Sequence, residues 1–297
     1  MKDDELGIHR YAYSGDVRLH YVERSARDDA PLVVLLHGFP EFWYSWRHQL
    51  VALADAGYRV VAPDLRGYGR SDKPPGLDAY QIETLTDDVA NLVESLGAER
   101  ASIVGHDWGG LVAWWHAIRH PQQVETLSIL NCPHPAHQPR MISDPVQVKK
   151  SRYMLFFQLP KVPEWSLRRG DHAKLRRLLR EEPSTPGAFS EADIQRYVDA
   201  FDEASTTAAL NYYRAYLRRG RSLMKDLRPI DIPTQVLWGT ADRHLGLDYA
   251  DPPTRWVWDV RVEKLEGYSH WLQVDAAAEV NRRLLAFLPP TRAACTG

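Results

Sequence analysis

The chain alternates between short runs of consecutive apolar residues and longer segments in which apolar residues recur every three or four positions. The longer segments predict amphipathic helices, at Leu85–Leu96 before Gly97 and near Ala276–Leu288. Because the two patterns alternate, they are typical of an α/β fold with a mainly parallel sheet. The short runs predict strands at Val17–Val22, Leu32–Leu36, Arg59–Ala62, Ser102–Val104, Leu127–Leu130, Gln235–Trp238 and Val262–Leu265.

The alternation is interrupted after residue 132 by a cluster of prolines. About ninety residues of almost purely helical pattern follow, with a capping-box pattern at Ser190 and Asp193 and a further helix over Asn211–Leu217. Strand patterns return after Pro233. We therefore predict an α/β core that is divided by an inserted helical cap, with the core at 1–132 and 229–297 and the cap at 133–228.

Composition and charge narrow the class of protein. The net charge of -2 provides no basic stripe for nucleic acid or a membrane surface, and we interpret the locally basic segment 168–180 as a solvated helix face. Two cysteines, Cys132 and Cys295, are too few for a disulfide framework, which favours a reducing cytoplasm. No run approaches the roughly 18 apolar residues of a membrane-spanning helix, and the segment Met1–Glu5 is acidic. From these features and the low net charge, we expect neither a membrane nor a nucleic-acid partner.

An aspartate occupies a sharp turn between a predicted strand and a predicted helix. The run Gly105-His106-Asp107-Trp108-Gly109-Gly110 separates the strand from an apolar helix that ends at Pro121. Small residues are needed on both sides of such a turn, because the backbone segments approach too closely for a Cβ. Where many hydrolases have serine, this chain has Asp107, which predicts a carboxylate nucleophile and chemistry other than ordinary ester hydrolysis.

A base and an acid follow the aspartate in the chain order that this kind of turn requires. Of the twelve histidines, His270 alone lies between a late predicted strand and the closing helix. Asp242 comes just after the strand Gln235–Trp238, and the other strand end that could supply the acid has no carboxylate. We therefore favour Asp242, while nearby alternatives remain at Asp248 and Asp251.

A second glycine turn provides candidate donors for developing negative charge. The strand Leu32–Leu36 ends in His37-Gly38-Phe39-Pro40, so the backbone amide of Phe39 is expected to face the same space as the amide of Trp108. Taken alone, this turn is more typical of a strand end with buried aromatic packing. Its place before Asp107 favours an oxyanion hole made by both amides.

Several motifs recur together along nearly the whole chain: HGFPE at His37–Glu41, WYSW at Trp43–Trp46, PDLRGYGRSDKP at Pro63–Pro74, GHDWGG at Gly105–Gly110, a strand-end Asp242, and His270-Trp271. Dehalogenases and esterases share individual motifs, but jointly, with aspartate as nucleophile, they resemble the soluble α/β-hydrolase-fold epoxide hydrolases. The resemblance implies a mainly parallel eight-stranded sheet with helices on both faces and an inserted helical cap, a monomer or homodimer, and neither metal nor cofactor.

Two tyrosines of the predicted cap match the proton donors of that family. Tyr153 stands in the pattern YxxxFQxP, and Tyr213 stands in Asn211-Tyr212-Tyr213-Arg214. With an ordinary pKa of about 10, a tyrosine is protonated at neutral pH and can donate to an epoxide oxygen. The predicted substrate is an apolar or aromatic epoxide. The residues expected to line its pocket are Phe39, Trp108, Phe156 and Phe157, with Trp165 as a further candidate.

The reaction implied by the resemblance is conversion of an epoxide and water to a vicinal diol through a covalent ester on Asp107. Its catalytic residues are Asp107, Asp242, His270, Tyr153 and Tyr213. One departure from the family pattern is Ser269, which precedes the histidine where glycine is common.

Two other functions remain open on the sequence. A dehalogenase would use the same aspartate, histidine and acid, and Trp108 is compatible with halide binding. Haloalkane dehalogenases commonly have asparagine where this chain has Phe39, and fluoroacetate dehalogenases have arginines where it has Trp108 and Leu111. The other alternative is a non-catalytic protein that binds a hydrophobic ligand, since fold alone does not establish function.

Overall fold

A computed structural model describes residues 3–27 and 29–291, so Cys295 lies outside the described residues. One sheet has the strand order β1-β2-β4-β3-β5-β6-β7-β8. Strands β3 to β8 all pair in parallel with one another, whereas β2 pairs antiparallel with both β1 and β4. The bounds are β1 Ile8–Ser14, β2 Val17–Arg24, β3 Leu32–Leu36, β4 Arg59–Pro63, β5 Ala101–His106, β6 Val124–Leu130, β7 Thr234–Gly239 and β8 Val260–Leu265.

The predicted α/β-hydrolase fold with a mainly parallel eight-stranded sheet is confirmed. The strand that apolar patterning does not predict is β1, at the edge of the sheet. Only Ala12 and Ser14 of this strand are buried. An edge strand has solvent along one side and so needs no continuous apolar run, whereas the central strands β3 and β5 are buried at every position.

The helices of the core pack in two pairs, α3 against α4 and α2 against α12, as expected for a sheet covered on both faces. None of the helices in 3–27 and 29–291 is long and apolar enough to cross a membrane. Their bounds in chain order are α1 Asp3–Leu6, α2 Arg47–Asp55, α3 Ile82–Ser95, α4 Trp108–Arg119, α5 Gln138–Met141, α6 Pro145–Lys150, α7 Arg152–Phe156, α8 Val162–Glu181, α9 Glu191–Ala200, α10 Glu203–Leu223, α11 Leu272–Asp275 and α12 Ala277–Phe287.

The segment between β6 and β7 contains α5 to α10 and contributes no strand to the sheet. We propose from this arrangement the same division as above, with a cap at 133–228. The capping box at Ser190 and Asp193 is present at the start of α9. Helix α10 begins earlier than the predicted Asn211, because the Asp202 side chain accepts a hydrogen bond from the Ser205 amide and caps it there.

Two buried histidines make the stability of the protein sensitive to acid. His116 and His134 are almost fully enclosed, and burial, reinforced by neighbouring histidines, lowers the pKa of each to about 3. In the unfolded chain a histidine titrates near 6.5, so the unfolded state binds more protons below that pH. Stability contributed by the neutral form is therefore present above pH 6.5 and is lost progressively as the pH falls towards 3.

We expect the free energy of unfolding to fall by about 2 kcal/mol for each of these histidines between pH 7 and pH 5. His116→Asn keeps a donor for the Thr86 carbonyl, which the ring nitrogen Nδ1 contacts at 3.3 Å, but it cannot titrate. Urea unfolding at both pH values should show a smaller loss for the variant than for the unmodified protein. An identical loss in both proteins would contradict the assignment.

Candidate active site

Asp107 lies at the turn between β5 and α4 in a strained backbone conformation. Its φ of 50° and ψ of -118° are unusual for a residue with a side chain and hold the carboxylate at the carboxyl edge of the sheet. The glycines around it are required, because a Cβ at Gly109 would collide with the Leu36 carbonyl and one at Gly105 with the Gly109 carbonyl. A Cβ at Gly38 would approach the Asp107 Cβ to 2.5 Å. The spacing seen in the sequence is therefore a steric requirement of the turn.

The structure brings Asp107, His270 and Asp242 together. His270 Nε2 lies 3.5 Å from Asp107 Oδ2, and His270 Nδ1 lies 2.7 Å from Asp242 Oδ2. His270 and Asp242 are both buried. The imidazole thus bridges two carboxylates that belong to different strand ends.

Burial and the charges of the neighbouring groups set the protonation states of Asp107, Asp242 and His270. Burial alone raises the pKa of Asp107, but hydrogen bonding to His270 and its charge outweigh it and hold the pKa below the ordinary value. Burial is likewise overcome at Asp242, whose pKa is lowered by the His270 charge. Burial lowers the pKa of His270, yet the charge of Asp242 and the hydrogen bond to Asp107 raise it well above 6.5. The site therefore holds two carboxylates about one protonated imidazole at neutral pH.

The acid Asp242 is fixed by neighbours that sequence reasoning did not assign. The Asn131 side-chain amide donates to Asp242 Oδ2 at 2.6 Å, and its carbonyl accepts from the Gly239 amide at 3.1 Å. The amides of His244 and Leu245 donate to Asp242 Oδ1 at 2.7 and 2.9 Å. The strand end without a carboxylate thus carries an amide that orients the carboxylate of the next strand.

The glycine turn after β3 faces the nucleophile. The Phe39 amide donates a hydrogen bond to Asp107 Oδ1 at 2.9 Å. Trp108 is the first residue of α4, directly after the aspartate. A buried glutamate supports the turn from behind, because Glu41 Oε2 accepts from the Gly38 amide at 2.8 Å and lies 2.8 Å from His106 Nδ1. The opposite nitrogen of His106 contacts the His270 carbonyl at 2.9 Å, which links the turn to the histidine loop.

Tyr153 and Tyr213 lie beside each other over the carboxylate. Their ring centroids are 5.9 Å apart, and both residues line cavities that also include Asp107. Burial raises the pKa of each phenol, and the Asp107 charge raises it further. Both hydroxyls are therefore protonated at neutral pH.

Two cavities meet at Asp107, Tyr153 and Tyr213. One has a volume of about 300 Å³ and is lined by Phe39, Phe156 and Phe157, together with Lys174 and His270. The other has a volume of about 360 Å³ and is lined by Trp108 and mostly apolar cap residues. Trp165, a further lining candidate from the sequence, lines neither cavity, and its side chain is 59% exposed.

Two further residues beside the histidine were missed from the sequence. Asp275 accepts hydrogen bonds from the Ser269 amide at 3.0 Å and from the Ser184 amide at 2.9 Å, which joins the histidine loop to the loop before α9. His244 Nε2 lies 2.6 Å from Glu182 Oε2, and the His244 ring centroid is 5.1 Å from that of His270. Neither lies in a motif that spacing identifies, since both interactions join residues distant in the chain.

Ser269 has a structural role in the same loop. Its hydroxyl accepts a hydrogen bond from the Trp271 amide at 3.2 Å. Burial raises the pKa of Asp275, but hydrogen bonds from Ser269 and from the Ser184 amide outweigh it and hold that pKa below the ordinary value. The serine is buried. It therefore helps to hold the loop on either side of His270.

Residues 31–277 match the family model described as the alpha/beta hydrolase fold. The chain is 39% identical to Epoxide hydrolase 1 of Caenorhabditis elegans, over 94% of this chain and 70% of that protein. It belongs to the epoxide hydrolases of the α/β-hydrolase fold. The family hydrolyses epoxides, so the chain is an enzyme of the hydrolase class.

Other relatives agree with this family. The AB hydrolase superfamily protein YfhM of Bacillus subtilis is 41% identical, with 94% of this chain and 97% of that protein covered. Epoxide Hydrolase A from Mycobacterium thermoresistibile has a solved structure with a TM-score of 0.83 and 33% identity, covering 96% of this chain and 99% of that chain. The resemblance inferred from the motifs is confirmed over nearly the whole chain.

Proposed function

We propose that the enzyme opens an apolar or aromatic epoxide through a covalent ester on Asp107 and releases a vicinal diol. The observation that carries this proposal is the junction of the two cavities, where a carboxylate, two phenols and a histidine surround one point. An epoxide needs a nucleophile on one side of its carbon–oxygen bond and a proton donor on the other, and this junction supplies both.

In the first step, Asp107 Oδ2 attacks a ring carbon and the carbon–oxygen bond of the epoxide breaks. We assign Oδ2 because Oδ1 is held by the Phe39 amide. Tyr153 and Tyr213 donate to the ring oxygen, and a phenolic proton passes to the forming alkoxide, which is the stronger base. As Asp107 loses its charge in the attack, the phenols lose the neighbouring anion that raised their pKa, so they become better acids as the bond breaks.

In the second step, His270 removes a proton from a water molecule that attacks the Asp107 carbonyl carbon. Ester formation removes one of the two negative charges that raise the pKa of His270. The imidazolium of the resting enzyme then passes its proton to the phenolate left by the first step, which restores the tyrosine and leaves the neutral imidazole needed as a base. The Phe39 and Trp108 amides stabilise the oxyanion on Oδ1. The protonated imidazole then gives its proton to the departing diol oxygen, and the remaining carboxyl proton of Asp107 passes to His270, which restores the resting charges of the site.

The aromatic lining by Phe39, Phe156 and Phe157 supports an apolar or aromatic substrate. We retain a cytoplasmic location as part of this proposal, on the low cysteine content of the chain. Dehalogenation is the competing reaction. It is disfavoured because a halide leaves without a proton, which would give the paired phenols no chemical task.

A single turnover in heavy-oxygen water, with enzyme in excess over a styrene-type epoxide, tests the route. The first diol should contain no heavy oxygen, because its new oxygen comes from Asp107 Oδ2, and the label should appear in the aspartate. Later turnovers should then release labelled diol. A bromoalkane is assayed in parallel. Labelled diol in the first turnover, or halide release without epoxide turnover, would refute the proposal.

A further inference from the structure

Apolar side chains surround the open end of the larger cavity. Ile142, Val148, Leu155 and Leu217 each line that cavity and are also exposed, Leu155 by 66%. A residue that is both lining and exposed lies at the rim. The entrance is therefore bordered by aliphatic groups, at a place where most proteins have polar residues.

The segment that supplies most of these rim residues holds further exposed apolar side chains. Residues 142–165 hold seven of the fourteen exposed large hydrophobic side chains of the described residues, namely Ile142, Val146, Val148, Leu155, Leu159, Val162 and Trp165. We call residues 142–169 the cap face. Half of the exposed large hydrophobic side chains thus lie in one short segment, and exposed apolar side chains that cluster on a surface are typical of an interaction site.

The cap face is also basic, although the chain as a whole has a charge of -2. It contains six Lys or Arg residues and two acidic residues. Both carboxylates are occupied within the protein, since Asp144 accepts from the Tyr249 hydroxyl at 2.7 Å and Glu164 pairs with Arg214 at 2.8 Å. Within residues 3–27 and 29–291, the exposed cations Lys149, Arg152 and Lys161 form no ion pair.

Trp165 combines the two properties of the surface. Its indole is exposed, and the Arg169 guanidinium lies 5.0 Å from its ring centroid. Tryptophan beside cations is the composition that favours the boundary between lipid headgroups and acyl chains. Aliphatic residues enter that boundary, while Lys and Arg meet the lipid phosphates.

We propose that the cap face docks on an anionic lipid surface and places the entrance of the larger cavity against it. Docking requires no spanning helix, and it replaces the expectation of no membrane partner that the low net charge favoured. An apolar epoxide partitions into lipid, so a docked entrance would receive it without passage through water. The surface binding is independent of Asp107 chemistry, so either can fail without the other.

Co-sedimentation with phosphatidylcholine vesicles, with and without phosphatidylglycerol, tests this surface. We expect binding to the anionic vesicles that weakens as salt is raised, and much weaker binding to phosphatidylcholine alone. Trp165→Ser should weaken anionic-vesicle binding about fivefold or more, because it removes the largest apolar group of the face. Trp258→Ser is the matched control, since Trp258 is 62% exposed but lies just before β8, outside residues 142–169.

Charge reversal gives an independent variant. Lys149→Glu with Lys161→Glu should weaken binding by at least about tenfold, whereas Arg18→Glu with Arg255→Glu changes the net charge equally on the core and should have a much smaller effect. All four residues are exposed, and circular dichroism verifies that each variant is folded. Turnover of a water-soluble epoxide should be unchanged, because none of these residues lines either cavity.

Three results would overturn the docking surface. The first is absence of binding to anionic vesicles at low salt. The second is an equal loss of binding in the Trp165→Ser and Trp258→Ser variants. The third is a dimer in light scattering that Trp165→Ser converts to a monomer, which would assign the face to a second copy of the chain.

Discussion

Replacing His270 by alanine should produce an enzyme that is alkylated once and then stops. Asp107 is ionised without the imidazole, so attack on the epoxide still occurs, but no group remains to activate water against the ester. We expect steady-state turnover to fall by about 10⁴-fold, the typical effect of losing a member of such a triad. The protein mass should rise by one substrate equivalent.

Intact-protein mass spectrometry after mixing measures the adduct, and peptide mapping locates it at Asp107. His244→Ala is the matched control, because that imidazole lies 5.1 Å from the His270 ring but pairs with Glu182 instead of the nucleophile. It should continue to turn over without accumulating ester. Trapped adduct in the His244 variant, or none in the His270 variant, would show that the roles are assigned wrongly.

Loss of both phenol hydroxyls should stop ester formation itself. We expect Tyr153→Phe and Tyr213→Phe each to slow alkylation by about tenfold or more, and the double variant by at least about 10³-fold, in the range typical of general acid catalysis. A single phenol still donates to the ring oxygen, whereas the double variant must expel an unprotonated alkoxide. Rapid-mixing measurement of the adduct isolates this step from hydrolysis.

Tyr216→Phe provides the comparison, because Tyr216 lines the same cavity and its ring centroid lies 5.8 Å from that of Trp108. Removing its hydroxyl should leave alkylation nearly unchanged. If the unmodified enzyme reacts with a bromoalkane, the double variant should keep that reaction, since bromide leaves without a proton. Full epoxide activity in the double variant would contradict the assignment of both donors.

Local features of the site could be predicted from the sequence because they depend on neighbouring residues. The turn at Asp107 needs glycines at fixed spacing, and the sterically excluded Cβ positions at Gly105 and Gly109 explain why. The strands were predictable where both faces are buried, as at β3 and β5, and the exposed edge strand β1 was not. Turn geometry and the burial of a strand depend on residues that are close together in the sequence, so the pattern of residue types predicts them.

The contacts that orient the triad could not be predicted in this way. Asn131 donates to Asp242 across 111 positions of the chain, and Glu41 and His106 contact each other across 65 positions. Asp275 accepts a hydrogen bond from the Ser184 amide across 91 positions. Each pair consists of common polar residues, and only the approach of their strand ends and loops gives the pair a role.

By itself the sequence determined the fold class, the family and the residue types at the sharp turn, because those follow from periodicity and from motifs of fixed spacing. Only the tertiary structure decided which way a side chain faces. Trp165 illustrates the difference: composition favoured a cavity-lining residue, but the fold leaves its indole 59% exposed and outside the lining of both cavities. The hydrophobicity of a side chain predicts that it favours burial, whereas the packing of the cap decides whether it is buried within the protein or exposed on its surface.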